Sequence, residues 1–204
     1  MVVLLLSLPK TVAAQLVPGL PISVELRPSA SFPVGDFGKE NPGFGAEAAV
    51  GVAVGLHVRV TPSLYAYGTY EYERFGCGAC GAAGFEDHLP EAGFEVGLEG
   101  ILPVRMGRID PWVGGGVLIG RRLEIVDGGD GVPSESATGW SAAAGVRVPI
   151  GPSVWLRPGI RYRNYSTRFV FPDLGFALLG ESGTLERPVD FQSVALEVGL
   201  LWQF

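Results

Sequence analysis

Apolar residues return at every second position of this chain, segment after segment, and that period belongs to strands. In the second such segment one parity reads Phe44, Ala46, Ala48, Val50, Val52, Val54, Leu56 and Val58. The other reads Gly45, Glu47, Ala49, Gly51, Ala53, Gly55, His57 and Arg59. Eight segments alternate in this way, over 21–33, 43–60, 63–75, 91–103, 111–126, 138–150, 153–168 and 190–204. Glycine (31 residues) and proline (16) punctuate the chain throughout, which disfavours long helices. The fold class that follows is all-β: an eight-stranded antiparallel up-and-down β-barrel.

The connections separate the two ends of such a barrel. Those after the second, fourth and sixth segments are short, as in "TPS", "VRMGRID" and "GPS". Those after the first, third, fifth and seventh are longer: "VGDFGKENPG", "GCGACGAAGFEDHLP", "DGGDGVPSESA" and "VFPDLGFALLGESGTLERPV". Transmembrane barrels carry tight turns on one side and long loops on the other. A soluble barrel can share that layout, so the faces must decide.

One face is large and apolar; the other mixes tiny residues with charges. Parity puts Glu25, Glu47, Glu71, Glu73, Glu95, Glu99, Glu124 and Glu197 on the second face, with Arg27, Arg59, Arg122, Arg147, Arg157, Arg161 and Arg163. Strand five, "VGGGVLIGRRLEI", accepts either parity. Eight strands enclose a space just wide enough for side chains to fill. Glycine and alanine would leave room there for long Arg and Glu side chains, which survive burial only when paired. The expected lumen network is Glu47, Glu95, Glu99, Arg147, Arg157, Arg161 and Glu197. The apolar face would then meet lipid, which makes the expected fold a transmembrane β-barrel. Aromatics support this: Phe44, Tyr70, Tyr72, Phe94 and Trp140 fall near the long-loop end, and Trp202 and Phe204 near the short-turn end, as two interfacial girdles would. Mean hydropathy is +0.30, yet no apolar run reaches the roughly 20 residues of a membrane-spanning helix. A net charge of −6 leaves no basic footprint for nucleic acid.

The start of the chain, "MVVLLLSLPKTVAAQ", reads as a secretory signal over 1–14, with Val12, Ala13 and Ala14 before the cleavage site and residues 15–204 as the barrel domain. No basic residue precedes the apolar run, so this leader is expected to be truncated or mis-started.

On "ISVELRPSASFPVGDF", "IDPWVGGGV" and the terminal "VALEVGLLWQF", the chain resembles the small eight-stranded outer-membrane barrels of the OmpA/OmpX-like superfamily, from about Pro18 to Phe204. The resemblance implies residence in the bacterial outer membrane among lipids and lipopolysaccharide, as a monomer. It also implies that Trp202 and Phe204 form the signal read by the barrel assembly machinery. No peptidoglycan-binding domain follows the last strand, so a tether to the cell wall is not expected. The expected role is a structural or surface-interaction barrel, with a narrow channel or a lipid-modifying enzyme as the alternatives.

Residues for chemistry are few. A Ser/His/acid hydrolase acting on outer-leaflet lipid needs a histidine on the outer side. His57 falls on the lumen face near the short turns. His88 falls in the second long loop beside Glu86 and Asp87. No catalytic residue, cofactor or metal site is therefore expected. Cys77 and Cys80 form a CxxC in the same loop without a thioredoxin-like setting, and a small loop disulfide is the expected reading. The long loops are acidic, with Asp36, Glu40, Glu86, Asp87, Glu91, Asp127, Asp130, Glu135, Asp173, Glu181, Glu186 and Asp190. These would form a solvated rim, whose ligand the sequence does not name. "FVFPDLGFALLG" is too apolar for a free loop, and would either extend strands seven and eight or cover the barrel mouth.

Overall fold

Alternating stretches pair because each strand's backbone groups must find partners, and in lipid only a closed ring leaves none over. The computed structural model describes residues 21–39, 45–77, 88–104, 107–127, 130–171 and 185–204. The expected signal segment and Cys80 lie outside these, as does the side chain of Cys77. The strands are β1 (Ile22–Pro33), β2 (Ala46–Thr61), β3 (Leu64–Cys77), β4 (His88–Ile101), β5 (Asp110–Asp127), β6 (Asp130–Pro133), β7 (Ala137–Pro149), β8 (Val154–Phe171) and β9 (Leu185–Gln203). Every neighbour pair is antiparallel, and β1 pairs with both β2 and β9. Eight strands thus close a ring in chain order: β1 to β5, then β7, β8 and β9.

The ninth strand, β6, lies in what the sequence reads as a loop. It folds back on β5, with Val132 opposite Ile125, and Ser134 bridges to Phe169 of β8. β5 rises past the ring's edge, and β6 supplies partners for backbone groups that would otherwise be bare. β8 and β9 also run on together, pairing from Val154↔Trp202 up to Phe171↔Leu185. The start of "FVFPDLGFALLG" is therefore strand extension; residues 172–184 lie outside the described set.

Two irregularities reverse the alternation. Between Ala46 and Ala49 the β2–β3 register shifts, so both alanines face inward and Glu47 and Ala48 are exposed. Glu47 thus leaves the expected lumen network. A second shift separates Leu118 from Arg121, beside Gly120 at φ 66°. There an L side chain would be strained, and glycine lets the strand insert an extra residue. In consequence Arg121 points into the barrel and Arg122 points out, the reverse of simple parity. His88 belongs to β4, opposite Gly76 and Val126, rather than to a loop.

Outside, the wall is apolar. Val50, Val52, Val54, Leu56 and Val60 of β2 are all exposed, as are Phe94, Val96 and Leu98 of β4. Val50 to Val60 covers roughly 33 Å of strand at about 3.3 Å per residue. Tilted by about 40°, that makes a belt roughly 25 Å tall, the height of a barrel's lipid-facing band. Tyr70 and Phe94 pack together at 5.1 Å on its upper part, and Trp140 meets Tyr162 at 5.3 Å. At the lower edge Trp202 is half-buried and Phe204 exposed.

Candidate functional site

The inside of the barrel has three levels, and each follows from which residues the pleat turns inward. In the middle level the charges meet. Glu71 on β3 accepts hydrogen bonds from Arg27 on β1 and Arg121 on β5 and pairs as an ion with Arg163 on β8 at 3.4 Å, so three walls of the ring converge on one carboxylate. Arg27 also reaches Glu25 at 3.2 Å and Glu197 at 3.2 Å. Arg161 grips Glu197 with Nε at 2.9 Å and a second nitrogen at 3.1 Å, and turns its third nitrogen to Glu95. Arg157 joins Glu25 to Glu99. Arg163 takes Glu73 at 2.8 Å, and Arg121 takes Glu91 at 2.9 Å. Planar guanidinium forks suit such bridging, because each serves two or three acceptors at once.

Polar neighbours complete the level. Ser141 donates to Glu95 at 2.7 Å and Ser31 to Glu73 at 2.8 Å. His57 Nε2 lies 3.0 Å from Glu25, and Arg157 sits 4.6 Å over the Trp112 ring. Small residues make the room: a Cβ on Gly199 would lie 2.3 Å from a Glu25 oxygen. The gap among Arg27, His57, Tyr67, Glu99, Trp112 and Arg161 has no room for a water molecule.

Of the residues expected in the lumen, Glu95, Glu99, Arg157, Arg161 and Glu197 lie in this network; Glu47 does not, for the reason given above. Arg147 is buried but stands apart, its guanidinium 4.5 Å over Tyr65 near the short turns. Arg59 and Glu124 leave the closed interior too, Arg59 exposed at the lower rim and Glu124 half-buried. Sequence reasoning missed Arg121, hidden by the register shift at Gly120. It also left Glu91 in the acidic loop rim, although Glu91 is buried and shares the parity of Glu95 and Glu99.

Above the charges, towards the long loops, sits an apolar plug. Phe37, carried by a single 3-10 turn over Gly35–Phe37, packs on Phe75 at 5.3 Å and Phe191 at 4.6 Å. Tyr165 stacks on Phe191 at 4.3 Å, and Leu89, Leu118, Leu123 and Phe169 fill the remaining space. On the outer surface beyond, Arg168 bonds Glu135 at 2.6 Å and Glu186 at 3.0 Å. Those two carboxylates hold its guanidinium above the usual arginine range. Below the charges, at the short-turn end, the barrel opens into a cavity of about 540 Å³.

Among the described residues no cluster of His, Cys, Asp and Glu could hold a metal ion. No family model matches the sequence, and no curated protein matches it. Solved structures do. Neisserial surface protein A is 15% identical with a TM-score of 0.61, over 90% of this chain and 97% of that one. OprG from Pseudomonas aeruginosa is 11% identical at 0.61, over 90% and 96%. The outer membrane protein AlkL in lipid bilayers is 16% identical at 0.56, over 91% and 90%. The fold is that of the small outer-membrane β-barrels. At these identities the likeness is one of fold, and it matches the physical reading of the two faces: the barrel wears its apolar side chains outside and keeps most of its inward charges paired.

Proposed function

We propose that this outer-membrane barrel is a closed, non-catalytic envelope protein that acts through its outer loops as a structural or surface-interaction element. The observation that carries the reading is the double obstruction of the lumen. Glu71 ties β1, β5 and β8 together across the middle, and the Phe37–Phe75–Phe191 cluster fills the outer end. Displacing such a network would strip several buried charges of their partners, which is strongly unfavourable. Of the structures it resembles, one is named a surface protein, which agrees with the reading. His57 is engaged by Glu25 inside the lumen, far from the long-loop surface where outer-leaflet lipid chemistry would take place. Lipids and lipopolysaccharide would contact the belt, and the assembly machinery would read the strand ending in Trp202 and Phe204.

Planar-bilayer recording of the purified protein tests the closed lumen. The expected trace is a flat baseline with rare, brief openings. Steady conductance in the nanosiemens range would overturn the closed reading in favour of a channel.

A further inference from the structure

The cavity at the short-turn end has walls from Arg59, Tyr65, Leu102, Asp110, Arg147 and Trp155. Its volume of about 540 Å³ lies within the range of small-molecule sites, roughly 300–1,000 Å³. Arg147 distinguishes it from a mere opening. Arg27, Arg121, Arg157, Arg161 and Arg163 are each paired with at least one carboxylate. Arg147 is buried too, at 7% exposure, but among the described residues it makes no ion pair. Its Nε has no hydrogen-bond partner, and it leans on Tyr65 at 4.5 Å. Asp110 is its cross-strand neighbour on β5, yet the two form no salt bridge. A buried guanidinium without a counter-ion is costly. The space beside it is where one would sit.

The surrounding chemistry narrows what fits. Arg59, on β2 across the ring from Arg147 on β7, is a second cation lining the cavity, so two guanidiniums stand against one carboxylate, and the cavity favours an anion. Arginine forks match phosphate oxygens. The volume far exceeds a bare ion, and Tyr65 and Trp155 offer flat surfaces for an organic part. The rim beside it is apolar, with Leu102 exposed where the barrel meets the lower membrane interface.

We propose that this vestibule binds a phosphate ester, with Arg147 as its anchor, Arg59 as the second cation, and Tyr65 and Trp155 flanking the organic portion. The ester can come from a soluble metabolite or from a phospholipid headgroup in the adjoining leaflet. The proposal stands apart from the closed-lumen reading, since the cavity lies below the charged level.

Calorimetric titration of the full chain in nonionic micelles tests it, using glycerol 3-phosphate, short-chain phosphatidylglycerol and, as a blank, glycerol. Saturable binding of either phosphate is expected, roughly tenfold or more weaker in Arg147→Gln through loss of charge-assisted bonds. Arg168→Gln, at the opposite end, should bind as the unaltered protein does. Binding of the soluble ester identifies a free ligand; binding of the lipid form alone identifies a headgroup. The proposal is overturned if neither phosphate binds, if Arg147→Gln binds normally, or if Arg168→Gln is weakened equally. Should Arg147→Gln lose the heat-shifted gel mobility of a folded barrel, Arg59→Gln carries the test: several-fold weaker binding supports the site, and unchanged binding sinks it.

Discussion

Glu71 holds three arginines, and nothing in its own strand announces it. Its neighbours "YEYERF" specify only that Glu71 and Glu73 share a face. The meeting with Arg27, Arg121 and Arg163 is made by three other strands. Replacing Glu71 by Gln keeps the shape but removes the charge, leaving three buried guanidiniums short of a counter-ion. Breaking a buried pair from one side costs about 3–5 kcal/mol, so the urea midpoint of the Glu71→Gln barrel should fall clearly. Glu186→Gln, which touches only the exposed Arg168, should leave the midpoint where it is, because solvent screens that pair. Equal effects from the two changes would mean that the lumen network does not carry stability. Glu95, Glu99, Arg157, Arg161 and Glu197 were legible as inward residues because no irregularity interrupts their alternation. Glu47 and Arg121 were not, since a period of two counts residues and a bulge adds one.

Along each element the pleat fixes one side for lipid, and β2 shows it best. Val50, Val52, Val54, Leu56 and Val60 face outward while Ala49, Ala53 and His57 face in. A charge on this row should matter by depth. Arginine near the bilayer midplane of a barrel costs about 2–4 kcal/mol, against about 0–1 near the interface. Val54→Arg should therefore destabilise the reconstituted barrel by much more than Val60→Arg, which lies close to the short turn. Folding yield into bilayers measures this, and a penalty independent of position would place the β2 exterior outside the membrane. The boundaries of β8 and β9 were less legible, because their upper parts leave the membrane and drop the clean apolar row. There the partner is the plug: Phe169 and Phe191 turn inward to Phe37 and Tyr165.

As a whole the molecule is a ring, and a ring depends on its last join. β9 closes on β1 from Pro33↔Ser193 to Ser23↔Gln203, and the Phe204 amide donates to the Ile22 carbonyl at 3.1 Å. Removing Phe204 takes away that bond and the terminal aromatic, so outer-membrane yield in cells should drop more than for a surface change such as Arg168→Gln. Equal yields would overturn the role given to that residue. The chain's own sequence determined the eight barrel strands, their up-and-down order and the inward parity of most of them, because side chains alternate strictly along a pleat. It also separated the short-turn end from the long-loop end. Which arginine meets which glutamate was decided only by the closed ring, where Arg157 and Glu25 touch across 132 residues of chain. The same holds for the plug, for Arg147, which makes no ion pair among the described residues, and for the two reversals of parity. Those depend on strand stagger and bulge position, which arise when the sheet closes on itself and which no local stretch of sequence specifies.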